Sequence, residues 1–164
     1  MMRTRKAERK DMPELLAIYN HEVVHGVSTF DLKVKTMTER MAWFDAHNVG
    51  NHPLIVADVD GAVAGYASLS SYRDKEAYAA TVELSVYVHP DYRRRGVARY
   101  LMEEILEEAR ERGDIHTVIS VITEGNDASV KLHEAFGFRC CGSMDEVGEK
   151  FGRKIGIINY QLML

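Results

Sequence analysis

The segment Val86-Tyr87-Val88-His89-Pro90-Asp91-Tyr92-Arg93-Arg94-Arg95-Gly96-Val97-Ala98 constrains the fold most. It reads as a strand, a tight basic turn and the start of a helix. That order brings the unpaired N–H groups of a helix, and the positive end of its dipole, into one small space beside a strand end. Three consecutive arginines surround the space. A chain that builds this anion cradle must carry a sheet on one side of it and a helix on the other.

The flanks of the turn obey both periodicities. From Thr81 to Val88 the residues alternate, with Val82, Leu84, Val86 and Val88 on one face and Thr81, Glu83, Ser85 and Tyr87 on the other. After the turn, Ala98, Leu101, Met102, Ile105 and Ala109 recur at helical spacing, and Gly113 stops the run. Upstream, a helix is predicted from Asp11, with Pro13 in its first turn, Glu14 at capping-box spacing and Gly26 as terminator. A second helix spans Thr38 to Ala46. Pro53–Asp58 and Ala62–Leu69 form strands across Asp60-Gly61, a hairpin signal. Thr117–Ile122 is a further strand, and Asn126-Asp127 opens a short helix that ends at Gly137. The tail from Phe138 forms two strands with a polar connection, Asp145 to Gly152. The pattern is one mixed α/β domain, residues 1–164, around a single sheet.

Composition narrows the function. Hydrophobic residues make up 46% and charged residues 28% of the 164, an ordinary globular balance. The net charge of -4 argues against a nucleic-acid partner. The arginine cluster is therefore a local positive spot that suits a small anionic ligand. No apolar run reaches the length of a membrane span, and no apolar leader follows Met1-Met2-Arg3-Thr4-Arg5-Lys6. A cytoplasmic location with no membrane partner is expected. Cys140 and Cys141 are adjacent, which is neither a disulfide framework nor a metal spacing.

Five separated segments occur in a telling order: Ile18-Tyr19-Asn20-His21; Thr81-Val82-Glu83-x-Ser85-Val86-Tyr87-Val88; Arg93-x-x-Gly96-x-Ala98; Asn126-x-Ala128-Ser129-x-x-Leu132-His133-Glu134-x-x-Gly137-Phe138; and Val147-Gly148-x-Lys150-Phe151-Gly152-Arg153. Together they resemble the phosphinothricin / methionine sulfoximine N-acetyltransferase branch of the GNAT family, over nearly the whole chain. The resemblance implies the acyl-CoA N-acyltransferase fold, a mostly antiparallel central sheet flanked by helices. It also implies acetyl-CoA as co-substrate, a small-molecule amine as acceptor, no metal and a homodimer. Two stretches depart from the pattern. Gly152-Arg153-Lys154-Ile155-Gly156 replaces the usual Gly-Arg-Trp-x-Asp, and Tyr160-Gln161 replaces Met-Gln.

Residue roles follow from chemistry and resemblance together. Arg93, Arg94, Arg95, Gly96, Val97 and Ala98 are expected to wrap the coenzyme pyrophosphate, chiefly through backbone N–H groups. The backbone of Val86, Tyr87 and Val88 resembles the strand end that pairs with the pantetheine arm as an added strand. An N–H there can also hold the thioester oxygen as negative charge develops on it. An alkyl ammonium must lose a proton before it attacks a thioester, and Glu83 is the candidate base. The alternative for Glu83 is a solvated strand glutamate. Asn126 matches a coenzyme-contacting asparagine and is equally good as a helix N-cap. His133 stands where many relatives carry a tyrosine thought to protonate the leaving thiolate. It is a candidate acid or a packed helix histidine. By resemblance, Arg73 and Lys75 grip the acceptor carboxylate, and Phe30, with Asp31, completes the acceptor pocket. For the two basic residues the alternative is a solvated loop charge.

Competing readings exist. His21-Glu22-Val23-Val24-His25 spells the H-E-x-x-H of zinc hydrolases, although Gly26 follows at once and no third ligand is apparent. The same fold also serves acetyltransferases of other amines or peptides, and non-catalytic acetyl-CoA-binding modules.

Overall fold

The computed structural model describes residues 1–164. The elements, in order, are β1 (Met2–Lys6), α1 (Met12–His25), α2 (Met37–Asp45), β2 (Leu54–Val59), β3 (Ala62–Ser71), β4 (Thr81–Val88), α3 (Val97–Arg112), β5 (Thr117–Thr123), α4 (Asp127–Ala135), β6 (Arg139–Lys150) and β7 (Arg153–Met163). Seven strands form one sheet in the order β1-β2-β3-β4-β5-β7-β6. All neighbours are antiparallel except β4 and β5, which run parallel. The expected mixed α/β architecture, a mostly antiparallel sheet flanked by helices, is the one found.

The strand alternation explains the two layers. Val82 and Leu84 of β4 pack with Leu101, Met102, Ile105 and Ala109 of α3 in the larger core cluster. The opposite face of the sheet meets α1 and α2, where Met12, Leu15 and Ile18 pack on Leu54, Val56 and Tyr66. Fully burying one side chain of this size stabilises the fold by about 1.5–3 kcal/mol.

Sequence reading missed β1. Met2-Arg3-Thr4-Arg5-Lys6 has little apolar alternation, because β1 is an edge strand held by backbone pairing to β2 and by charge. Arg5 lies at the centre of that charge. Its guanidinium donates to both oxygens of Asp11, at 2.8 and 2.9 Å, and to Asp58 at 3.0 Å. Asp11 is therefore not the expected N-cap partner of Glu14. Glu14 instead accepts from the Val63 N–H at 2.8 Å, which ties α1 to β3. The polar connection expected over Asp145–Gly152 is mostly strand. β6 continues to Lys150, with a bulge between Met144 and Gly148, and only Phe151 and Gly152 form the turn.

Asp11 and Asp58 are buried. Burial alone would raise the Asp11 carboxyl, but hydrogen bonds from Arg5 and the Glu8 N–H outweigh it and hold the group below the ordinary range. The Gly61 N–H and Arg5 do the same for Asp58. A depressed carboxyl contributes stability that is fully present above its unfolded pKa and is lost as pH falls through the native value. Arg5→Ala is expected to cost about 2–4 kcal/mol at neutral pH, because buried Asp11 loses its bidentate partner and Asp58 keeps only the longer pair to Arg3, at 3.8 Å. Urea melts at pH 7 and pH 3 check this: the difference from wild type should shrink at the lower pH.

Candidate active site

The site begins where two strands part. β4 and β5 pair only over Thr81–Glu83 and Thr117–Ile119. Beyond Glu83, β4 keeps β3 as its neighbour as far as Val88. β5 stays paired with β7 over its whole length. From Leu84 onward, the backbone edge of β4 that faces β5 has no strand partner, which leaves open hydrogen-bonding groups.

A cleft of about 250 Å³ occupies the gap. Leu84–Tyr87 form one wall and Ser120–Thr123 the other, with Ala98 and Met102 of α3 and Asn126 and His133 closing it. The basic turn stands where α3 enters. Gly96 is the N-cap of α3 at φ 78°, a left-handed conformation that favours glycine, and no side chain caps the helix. The first-turn N–H groups of Val97, Ala98 and Arg99 therefore have no helical acceptor. Arg93, Arg94 and Arg95 are exposed around them. Arg93 pairs with Glu22 at 3.3 Å, and Arg95 stacks over Tyr92. An open strand edge, an uncapped helix terminus and three arginines fit an extended thioester with a pyrophosphate at one end. Val86, Tyr87, Val88 and Arg93–Ala98 would hold acetyl-CoA.

Asn126 performs the capping role, with its side-chain oxygen accepting from the Ser129 N–H at 3.2 Å. It also lines the cleft, and its amide NH2 has no protein acceptor. His133 is buried, with Nδ1 2.7 Å from the Ser129 carbonyl and Nε2 2.7 Å from the Ser120 hydroxyl. A carbonyl only accepts, so Nδ1 carries the proton and Nε2 accepts from Ser120. Burial pushes the imidazole pKa down, which favours the neutral ring. This geometry fits the packed reading of His133 better than the acid reading.

A second cavity, of about 410 Å³, opens on the α1–α2 side of the sheet. Ser85 and Tyr87 line both cavities, so the two meet across β4. Glu83 lies on that same strand face. It stands opposite Ser70 in the β3–β4 register, as Ser85 stands opposite Ser68 and Tyr87 opposite Tyr66. Burial raises the Glu83 carboxyl pKa. No salt bridge or hydrogen bond engages its carboxylate, which is unlike a solvated surface glutamate with a basic neighbour.

The acceptor-side predictions divide. Asp31 lines the second cavity, with its carboxylate held by Lys35 and by the Tyr19 hydroxyl. Phe30 does not line it. Its ring presses on the Cα of Gly148, where any side chain would collide, and so joins the α1–α2 loop to β6. Arg73 and Lys75 are exposed on the β3–β4 loop and line neither cavity; Arg73 stacks over Tyr72 and Tyr78. The H-E-x-x-H residues close α1 beside the arginine turn. His21 and His25 stack at 4.5 Å, and Glu22 is taken up by Arg93 and the Ser28 N–H. No group of three ligating side chains forms around them.

Sequence reading missed Arg40, Trp43 and Tyr66, which line the second cavity. The available signal was an arginine three residues before a tryptophan, both on the face of a helix that must turn inward.

Comparison with known proteins agrees with this geometry. Residues 13–138 match the acetyltransferase (GNAT) family. An L-methionine sulfoximine/L-methionine sulfone acetyltransferase from Pseudomonas paraeruginosa is 40% identical over 161 residues, covering 98% of this chain and 93% of that protein. A phosphinothricin N-acetyltransferase from Streptomyces coelicolor is 37% identical over 163 residues, covering 98% and 95%. A putative acetyltransferase from Salmonella typhimurium, solved with its cofactor acetyl-CoA, superimposes with a TM-score of 0.96 at 35% identity, covering 100% of this chain and 94% of that one. No helix here is long and apolar enough to cross a membrane. With the parted strands, the uncapped α3 terminus and these matches in agreement, the chain belongs to the acetyltransferase (GNAT) family and is an acetyl-CoA-dependent N-acetyltransferase.

Proposed function

We propose that the protein acetylates the primary amine of a small amino acid or analogue, of the methionine sulfoximine, methionine sulfone or phosphinothricin type. The observation that carries this reading is the meeting of two cavities at Ser85 and Tyr87, on the strand face that also carries Glu83, a half-buried carboxylate without a cation. One cavity suits the thioester and the other a small polar acceptor. The names of two relatives that align over nearly the whole chain support the acceptor class.

Bound acetyl-CoA supplies an acetyl group on a thiolate leaving group. Glu83 takes a proton from the acceptor ammonium, directly or through one water, and the free amine attacks. The open N–H groups of β4 beyond Glu83 stabilise the charge that develops on the thioester oxygen. The attacking nitrogen releases its second proton to solvent and the departing thiolate takes one from it, since the only ring N–H of His133 is spent on a carbonyl. The protein acts in the cytoplasm, a reading that fits its exposed free cysteines.

A homodimer is part of the same proposal. β6 is an edge strand of 12 residues, exposed over most of its length. Met144, Val147 and the neighbouring Phe151 leave apolar surface open there. A twelve-residue unpaired edge of this kind invites pairing with a second copy. Sedimentation equilibrium is expected to give two copies, and Val147→Asp is expected to shift the protein toward monomer.

Glu83→Gln is expected to lower kcat by about 10²–10⁴-fold while leaving acetyl-CoA affinity within about two-fold. Thiol release with methionine sulfone and isothermal titration with acetyl-CoA measure the two effects. An unchanged kcat across pH removes Glu83 as the base. The acid limb of kcat/KM should lie above the ordinary glutamate range, since burial raises this carboxyl and only its ionised form takes a proton. A carboxyl raised in the native state binds more protons there than in the unfolded chain, so stability falls as pH rises through that window. Glu83→Gln should therefore raise the Tm at neutral pH while it lowers turnover.

A further inference from the structure

We propose that Arg40 is the anion anchor of the acceptor cavity, holding a carboxylate or phosphinate of the acceptor against the wall formed by Trp43 and Tyr66. The proposal rests on the reading of the second cavity as the acceptor site.

Arg40 lies on α2 and is 6% exposed, yet none of the molecule's ion pairs includes it. The two rim carboxylates have other partners. Asp31 is held by Lys35 and Tyr19, and Glu39 accepts from the Thr36 N–H in the α2 capping box. One N–H of the guanidinium donates to the Tyr66 hydroxyl at 2.8 Å. Nε is buried with no partner, and it is the only such side-chain atom in the protein. The remaining N–H groups meet no protein acceptor, and the side chain lines the cavity.

Packing around the cation is aromatic. The guanidinium carbon sits 3.5 Å from the Trp43 ring centroid and 4.0 Å from that of Tyr19. Such faces offset part of the cost of removing a cation from water, and they fix the plane of the fork. They supply no acceptor for its N–H groups. A buried donor left unmade costs about 1–3 kcal/mol, so a purely structural arginine at this place is an unfavourable choice. A ligand with two oxygens on one atom matches a guanidinium fork in both charge and spacing. His47 adds no competing positive charge. It donates from Nδ1 to the Trp43 carbonyl, accepts at Nε2 from Ser70, and is held toward neutrality by burial. The hydroxyl-bearing Ser68, Ser70 and Ser85 line the same space and suit a polar acceptor.

Trp43 is the only tryptophan in the chain and reports on this contact without turnover. Methionine sulfone is expected to change its fluorescence saturably in the wild-type protein. Arg40→Lys should weaken that binding by about 10–100-fold, the loss of one good charged hydrogen-bond pair. Acetyl-CoA affinity, measured on the same variant, should stay within about two-fold, which establishes that the fold is intact. The carboxamides of methionine sulfone and phosphinothricin separate the sources. A variant effect that vanishes on both amides assigns the carboxylate, and one that persists on the phosphinothricin amide assigns the phosphinate. Equal affinity of wild type and Arg40→Lys for both acids overturns the proposal, as does equal weakening for acids and for the methionine sulfone amide. Should the variant fail to fold, acetate and acetamide decide on the wild-type protein. Competition by acetate alone supports the anchor, and equal competition or none overturns it. Arg40-dependent binding without acetylation of any amine would leave the anchor standing and remove the proposed acceptor reaction. Acetylation with a KM unaffected at Arg40 would do the reverse.

Discussion

The separation of β4 from β5 is the constraint on which the rest depends. A parallel pair is expected to continue its ladder as far as both strands run. Here the ladder lasts three residues on each strand and stops at Glu83 and Ile119. β5 cannot follow β4, because β7 holds it from Thr117 to Thr123. β4 cannot follow β5, because β3 holds it as far as Val88. Two fully paired neighbours pull the strands apart, and the sheet is left with an open edge in its middle. Unpaired backbone groups away from water are costly. Their persistence at this position makes sense as a docking edge for an extended ligand.

Everything chemical is arranged around that opening. On the α3 side, the helix starts after its N-cap Gly96 with no side-chain cap, so its N-terminus is available to an anion. On the α1–α2 side, strand alternation carries Glu83, Ser85 and Tyr87 onto the face where the second cavity opens. One strand therefore presents its open edge to the first cleft and its side chains to the second cavity. Period-two geometry allows both uses without conflict, because backbone and side chains point in perpendicular directions. The α1–α2 loop that borders the second cavity is pinned from the far side of the molecule. Lys150 donates to the Thr29 carbonyl at 2.9 Å, and the Thr123 hydroxyl donates to the Val27 carbonyl at 2.7 Å.

Legibility in the sequence followed the range of the interaction that fixes each feature. The strand–turn–helix around Arg93–Ala98, the β4 alternation and the cap at Asn126 are local, and each was readable within a dozen residues. β1 was not, because an edge strand whose partner lies some fifty residues away in the chain carries no periodicity of its own. Glu14 was misassigned for a similar reason: its capping spacing with Asp11 was genuine, but Arg5 and the Val63 N–H compete for the two carboxylates and win. The acceptor side was hardest to read. Arg73 and Lys75 rested on resemblance, and the burial of Arg40 depends on how α2 packs.

The sequence by itself determined the fold class, the basic turn before α3 and the single charged position of β4. Those depend on periodicity, on glycine at a left-handed position and on one carboxylate in an otherwise uncharged strand. Only the tertiary structure decided which groups share a cavity. Arg40 lies far from Ser85 and Tyr87 along the chain, and α2 must fold onto the sheet before its arginine joins them and loses water. The tautomer of His133 was likewise set by a carbonyl and a hydroxyl that only packing brings within reach. Charge and hydrogen bonding in a buried site depend on what surrounds a group in three dimensions, and that information is spread over the whole chain.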